Sequence, residues 1–368
     1  MGVRYSYLAQ QFADADDLWD ELKEFVKTGD FTLGKPLIEF EKNFAKLMGA
    51  KYAIGVNSGT DAIKLGLKVQ GIKPGDEVIT AANTFVATVG AICELGAIPV
   101  FVDCNDTFCM DTSKIEAAIT EKTKAIVPVH FTGYMTDMRE VCRIAEKYRL
   151  VVVEDACQSI LGEIDGRKAG TWSKAGAFSL HPLKNLNVWS DGGLLITDDE
   201  KIAGDMRLQR NHGLMDRDNV EVMGCNSRLD TFQAVVGNWL LPQTVSIAEQ
   251  RIKNARFYDE SFCNIKEITI PPRPTDFKIV YHLYIIFAEK RDALLKFCLD
   301  RGIEAKVHYP IPIYRQPALR MYGASEGDFP VTESHTKSII TFPCDQHLSD
   351  DQLNFVVDTV ADFYSGQS

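Results

Sequence analysis

The sequence predicts an α/β fold in which a mostly parallel central sheet is flanked by helices and followed by a smaller α+β domain. Two observations carry this expectation. From about residue 50, short β-branched runs alternate with stretches of helical periodicity, the pattern of strands joined by crossover helices. After Arg228 the alternation gives way to successive helical stretches and then to a Pro-rich region, so the architecture changes there.

Taken in order, the strand-like runs are YAIGVN (52–57), DEVIT (76–80), IPVFVD (98–103), KAIVPV (124–129), LVVVED (150–155), GAFSL (176–180) and GLLITD (193–198). Between them, Asp61 to Val69 and Asp137 to Tyr148 carry apolar residues at three- and four-residue spacing, as right-handed crossover helices should. A helical pattern runs from Arg228 to Leu241, Pro242 interrupts it, and a second begins at Ser246. The domain boundary is expected there, with residues 1–245 forming a large α/β domain with an amino-terminal arm and residues 246–368 a small one. The small domain contains the strand-like YHLYIIF (281–287), a helix from Arg291 to Arg301 and the Pro-rich HYPIPIYRQPA (308–318). At 368 residues the chain exceeds what one hydrophobic core usually supports, which fits two domains.

Charge and cysteine usage narrow the function classes. With 51 acidic against 40 basic residues, the net charge of −11 argues against a nucleic-acid binder, because affinity for the phosphate backbone rests on clustered Lys and Arg. Small anionic substrates need only a local cationic pocket. The nine cysteines include no Cys-x-x-Cys pair, and Cys104 and Cys109 lack a second pair to complete a metal site, so reduced thiols in a cytoplasm and no metal are expected. The first residues carry no apolar signal core and no stretch is long enough to span a bilayer, so neither secretion nor a membrane is expected.

In an open α/β sheet ligands bind beyond the carboxyl ends of the strands, and four such positions carry chemistry. Asn57-Ser58-Gly59-Thr60-Asp61-Ala62 joins a strand to a helix whose free N–H groups suit a phosphate, although a Ser or Thr cap reads equally well in isolation. Asp155 ends an apolar strand in Val153-Glu154-Asp155-Ala156-Cys157-Gln158 and could keep a pyridine nitrogen protonated; a helix cap or surface turn is the plainer reading. Lys184, after Phe178-Ser179-Leu180-His181-Pro182-Leu183 and before Asp191-Gly192-Gly193, could lose its proton on desolvation and attack an aldehyde, although most lysines are surface charges. Phe85, in Asn83-Thr84-Phe85, could stack on a planar ring or simply fill the core. No Gly-x-Gly-x-x-Gly loop follows the first strand and no P-loop appears, which removes the main support for nicotinamide or nucleotide chemistry.

In this order the segments resemble the sugar aminotransferases of the DegT/DnrJ/EryC1/StrS family, pyridoxal-phosphate enzymes of the aspartate-aminotransferase-like fold type. The resemblance runs from Thr32-Leu33-Gly34-Lys35 and Phe40-Glu41 through His308-Tyr309-Pro310 to the final helix. It implies that Lys184 holds the cofactor as a Schiff base, Asp155 pairs with the pyridine nitrogen and Gln158 lies beside the phenolic oxygen. Gly59, Thr60 and Ser179 become the phosphate cradle and Phe85 the stacking residue. Asn226, in Gly224-Cys225-Asn226-Ser227-Arg228, matches the position that reaches the neighbouring subunit's phosphate, which implies a homodimer with shared active sites. His308 and Tyr309 sit in a motif near the sugar, with His181 and His212 as neighbours.

The chain departs from the family pattern between Lys184 and the Gly-Gly pair, where Asn187, Val188 and Trp189 replace smaller residues; Trp189 is expected to reshape the substrate pocket or the subunit contact. The implied reaction takes an amino group from glutamate, releases 2-oxoglutarate, passes through pyridoxamine phosphate and aminates a ketosugar, either a nucleotide-linked 3- or 4-ketosugar or a keto sugar acid such as an eight-carbon ulosonate. Lipopolysaccharide, surface-glycan or antibiotic-sugar synthesis is the implied setting. Two other readings remain: a ketosugar dehydratase, whose relatives carry histidine in place of the lysine, and a non-catalytic regulatory relative.

Overall fold

Seven strands form the central sheet of the computed structural model, which describes residues 2–322 and 329–366. In chain order, β1 (Tyr52–Val56), β2 (Glu77–Ala81), β3 (Ile98–Val102), β4 (Thr123–Val127) and β5 (Val151–Asp155) are followed by a short hairpin, β6 (Glu163–Ile164) and β7 (Arg167–Lys168). Then come β8 (Ala175–Ser179) and β9 (Gly193–Thr197). The central order is β1-β9-β8-β5-β4-β2-β3. Each of the seven apolar runs read from the sequence forms one of these strands. They are legible because both faces are covered, which makes them near-continuously apolar.

One strand departs from the simple parallel expectation: β9 pairs antiparallel with both β1 and β8. No helix lies between β8 and β9, so the chain has no element to carry it back across the sheet, and it turns round at the same edge. The connection from Leu180 to Gly192, which includes Lys184, therefore lies wholly at the carboxyl edge of the parallel strands.

Helices cover both faces. On one face, Gly59–Val69 and Glu200–Gln209 pack Ile63, Leu67, Ile202 and Met206 against Ile54, Val153 and Leu195 of the sheet. On the other, Lys35–Met48 and Met138–Tyr148 bury Phe40, Phe44, Val141 and Ile144. Helix Thr231–Leu240 ends in a 3-10 turn, Leu241–Gln243, where Pro242 interrupts the sequence pattern, and Thr244–Phe262 follows.

Beyond this helix, β10 (Ile268–Thr269), β12 (Tyr284–Ala288) and β13 (Ile339–Phe342) form a second, antiparallel sheet, while β11 (Phe277–Lys278) pairs back to β6. The amino-terminal residues join this region and not the central sheet. Val3 pairs with Ile303, and Gln352 donates to the Gly2 carbonyl at 3.1 Å and to the Tyr7 hydroxyl at 2.7 Å. No helix among the described residues is long and apolar enough to cross a membrane.

Candidate active site

The carboxyl ends of β1, β5 and β8 and the start of β9 converge on a cavity of about 320 Å3. Lys184, Asp155, Gln158 and Ser179 line it, as do Gly59, Thr60 and Phe85. His181, His308 and Tyr309 complete its wall. Ten residues expected from the sequence thus meet in one place. A larger hollow of about 650 Å3, lined by Gln70, Arg149, Ser173 and Lys174, lies at the opposite edge of the sheet, where the parallel strands begin. It gathers none of these groups.

Asp155 ends β5, and its two oxygens are held separately: Thr88 donates to Oδ2 at 2.7 Å and the Cys157 amide to Oδ1 at 3.2 Å. The preceding residue, Glu154, points to the other face of the strand. There it accepts bonds from the Gly170, Trp172 and Ser173 amides and from His130, and so ties down the loop before β8. Gln158 accepts a 2.8 Å bond from the Thr132 amide. That N–H can only donate, so the Gln158 carbonyl is committed and its NH2 is left as a donor toward the cavity.

At the end of β1, Ser58 caps helix Gly59–Val69 by accepting from the Asp61 amide at 3.1 Å, which leaves the first N–H groups of the helix open to an anion. The turn is tight. A Cβ at Gly59 would stand 2.8 Å from Cys157 Sγ and 2.9 Å from Ser179 Cβ, and one at Gly193 would stand 2.3 Å from the Ser58 carbonyl. Gly193 thus lets β9 pass against the helix start.

Lys184 is fixed by its backbone. Its amide donates to His181 at 2.8 Å, and its carbonyl accepts from Asn187 at 3.0 Å. Its amine has no hydrogen-bond or ion-pair partner among the described residues. Desolvation lowers its pKa, with Cys157 and Asp155 opposing the shift. Burial likewise lowers the pKa of His308 to about 4, helped by Lys306 and Lys184, while its Nδ1 lies 2.9 Å from the Thr341 hydroxyl. The Tyr309 ring packs between Phe85 and Phe131, 5.9 Å from each, and burial raises its hydroxyl well above the usual range.

Three expected residues lie elsewhere. Asn226 is exposed and does not line the cavity of its own chain. His212, exposed at a left-handed position (φ 58°), does not line it either, because the His212 amide bonds to Cys225 and holds that loop away. Trp189 turns from the cavity into an aromatic cluster, 5.6 Å from Phe12 and 5.0 Å from Trp19.

The cavity also contains residues that sequence reasoning missed. Thr84 and Thr88 fall one turn apart around the helix start at Phe85, a spacing that could have exposed them. His282 follows a segment pinned by Arg251, which donates to the Tyr281 and His282 carbonyls, and burial lowers its pKa well below 6.5. Its Nδ1 has no partner among the described residues. Tyr5 and Lys306 complete the mouth.

This donor set has a counterpart for each polar edge of pyridoxal phosphate: a carboxylate for the ring nitrogen, an amide NH2 for the phenolic oxygen, an amine for the aldehyde and a capped helix start for the phosphate. The cradle would be closed by a single Cβ at Gly59. Among the described residues no cluster could hold a metal ion.

The DegT/DnrJ/EryC1/StrS aminotransferase family matches residues 13–361 of the chain. The chain is 40% identical over 368 residues to a Geobacillus stearothermophilus protein named pleiotropic regulatory protein, covering 99% of each. It is 35% identical to the dTDP-3-amino-3,4,6-trideoxy-alpha-D-glucose transaminase of Streptomyces venezuelae, with 96% of this chain and 95% of that one covered. The crystal structure of NtdA from Bacillus subtilis with bound pyridoxamine phosphate matches with a TM-score of 0.92 at 31% identity, over 99% of this chain and 85% of that one.

Proposed function

This chain belongs to the DegT/DnrJ/EryC1/StrS aminotransferase family, and on that premise we propose that it moves an amino group from glutamate to a ketosugar through Lys184. It is a sugar aminotransferase and its cofactor is pyridoxal phosphate. The acceptor is read as a nucleotide-linked 3- or 4-ketosugar or a keto sugar acid such as an eight-carbon ulosonate. The observation that carries the reading is the Lys184 amine, desolvated and without a protein partner, in one cavity with Asp155 and Gln158.

Pyridoxal phosphate, when bound, supplies an electron sink for negative charge at the carbon that bears the transferred nitrogen. Lys184 loses its charge readily, so its amine can take a proton from the α-carbon of glutamate and later return one to the sugar carbon that receives nitrogen. Asp155 presents a carboxylate to the ring nitrogen, and the Gln158 NH2 donates to the phenolic oxygen. The Gly59 and Thr60 amides and the Ser179 hydroxyl receive the phosphate, while Phe85 flanks the ring. His181, His308 and Tyr309 face the sugar. Asn226 serves the site of the neighbouring subunit in a homodimer, and the setting is a bacterial cytoplasm supplying amino sugars to surface glycans, lipopolysaccharide or antibiotics.

A regulatory, non-catalytic role has behind it the name of the Geobacillus relative. Against it stands Lys184: a pocket that only binds a ligand gains nothing from a desolvated amine beside a carboxylate. The same residue argues against dehydratase chemistry, which uses histidine there.

The test is to supply glutamate and a panel of ketosugars and to identify the aminated product by mass spectrometry. Glutamate alone should change the visible absorption of the loaded protein. An unchanged spectrum and no aminated sugar would sink the reading.

A further inference from the structure

The cavity contains a second amine that the proposed reaction does not use. Lys306 lines it two residues before His308, and no carboxylate among the described residues lies in ion-pair range of its amine. Its Nζ instead stands 4.0 Å from the centre of the Tyr5 ring, and Tyr5 stacks on His308 with 5.8 Å between rings.

Both side chains stand on hydrogen-bonded backbone. Val3 donates to Gly302 and accepts from Glu304, each at 2.9 Å, and the Tyr5 amide donates to the Glu304 carboxylate at 2.8 Å. Lys306 exchanges two backbone bonds with Thr341, at 3.0 and 2.8 Å. The amino-terminal segment is thus clipped to the segment that carries Lys306, and its one ring in the cavity meets that lysine.

We propose that Lys306, backed by Tyr5, is a specificity residue that receives an anionic group on the sugar substrate, remote from the ketone. The inference rests on the sugar-aminotransferase reading. With a net charge of −11 the protein as a whole repels anions, so an anionic sugar needs a local cation to offset that field. An aromatic face holds an ammonium without neutralising it, which keeps Lys306 available to an oxyanion; a carboxylate partner would not. Lys306 is exposed at the mouth, whereas Lys184 lies within. The group it meets therefore sits toward the mouth of the cavity, on the side away from Lys184. The diphosphate of a nucleotide-linked sugar and the carboxylate of a sugar acid share this chemistry.

Calorimetric titration of the cofactor-loaded protein with UDP, D-glucuronate and uridine separates them. Lys306→Ala should weaken binding of UDP or of D-glucuronate by about ten- to a hundredfold and leave uridine unaffected, since a charge-assisted contact is lost. Lys306→Arg should retain most of the affinity. A loss confined to UDP assigns the diphosphate, and one confined to D-glucuronate the carboxylate. In turnover the alanine variant should raise the acceptor KM far more than it lowers kcat, a split that a merely structural role would not produce. Equal affinity of the alanine variant and the unsubstituted protein for both anions, or no binding of either anion to the unsubstituted protein, overturns the inference. Failure of the aminotransferase reading is seen separately, in unsubstituted protein that leaves the amino group on glutamate.

Discussion

The Thr88 hydroxyl lies 2.7 Å from Asp155 Oδ2 and also 2.7 Å from the Thr84 hydroxyl. A hydroxyl has one proton and an ionised carboxylate only accepts, so Thr88 gives its proton to Asp155 and receives one from Thr84. All three side chains are buried, and the two threonines aim the carboxylate.

Thr88→Val leaves that oxygen without its donor, a loss of about 1–3 kcal/mol for a buried group. The variant should bind pyridoxal phosphate more weakly and turn over about tenfold more slowly, whereas Thr88→Ser, which retains the hydroxyl, should stay near the unsubstituted protein. Equilibrium dialysis of the cofactor and steady-state kinetics check both. Equal cofactor affinity in the valine and serine variants would show that Thr88 does not act through Asp155.

Lys184 gives a stability prediction as well as a kinetic one. Its native pKa lies below the ordinary 10.5, so at pH values between the two the unfolded chain carries a proton that the native chain does not. Stability therefore rises with pH across that window. Cofactor-free Lys184→Met should be more stable than the unsubstituted protein at neutral pH, with the gap closing toward pH 10.5, in urea unfolding at a series of pH values. The same variant should lose turnover by about a thousandfold or more, because the other amine lining the cavity, Lys306, stands exposed at its mouth.

His335 lies far from this chemistry, between the Phe108 and Phe287 rings at 5.4 and 5.0 Å. Burial lowers its pKa from 6.5 to about 4. Between those values the unfolded state binds a proton that the native state refuses, so stability falls as the pH drops through the window. The loss attributable to His335 should reach about 3 kcal/mol by pH 4. His335→Leu should remove that part of the acid sensitivity; unfolding curves with the same pH dependence in both proteins would refute the assignment.

The strands and the residues that end them were legible because a doubly covered sheet writes its strands as apolar runs; Asp155 and Ser179 close such runs, and the Ser58-Gly59-Thr60 turn follows one directly. The direction of β9 was not, since an apolar run reads the same either way; the missing helix between Ser179 and Gly193 was the available clue. Tyr5, His282 and Lys306 reach the cavity from distant parts of the chain, and nothing local marks them. Trp189 shows the limit from the other side. Its neighbours in sequence line the cavity edge, but packing on Phe12 and Trp19 decides where the ring goes.

Asn226 supplies the sharpest test of a shared site. It is exposed and lies outside the cavity of its own chain, so any role in phosphate binding must be exercised on a neighbour. In a two-fold dimer, Asn226→Ala and Lys184→Ala homodimers should each be impaired at both sites, but a mixed dimer pairs an intact Lys184 on one subunit with an intact Asn226 on the other. One of its two sites is then complete. If equal amounts are unfolded together and refolded, half the dimers are mixed, and activity should return to about a quarter of that of the unsubstituted protein. Activity no greater than the mean of the two separate variants would mean that Asn226 acts within its own subunit or not at all.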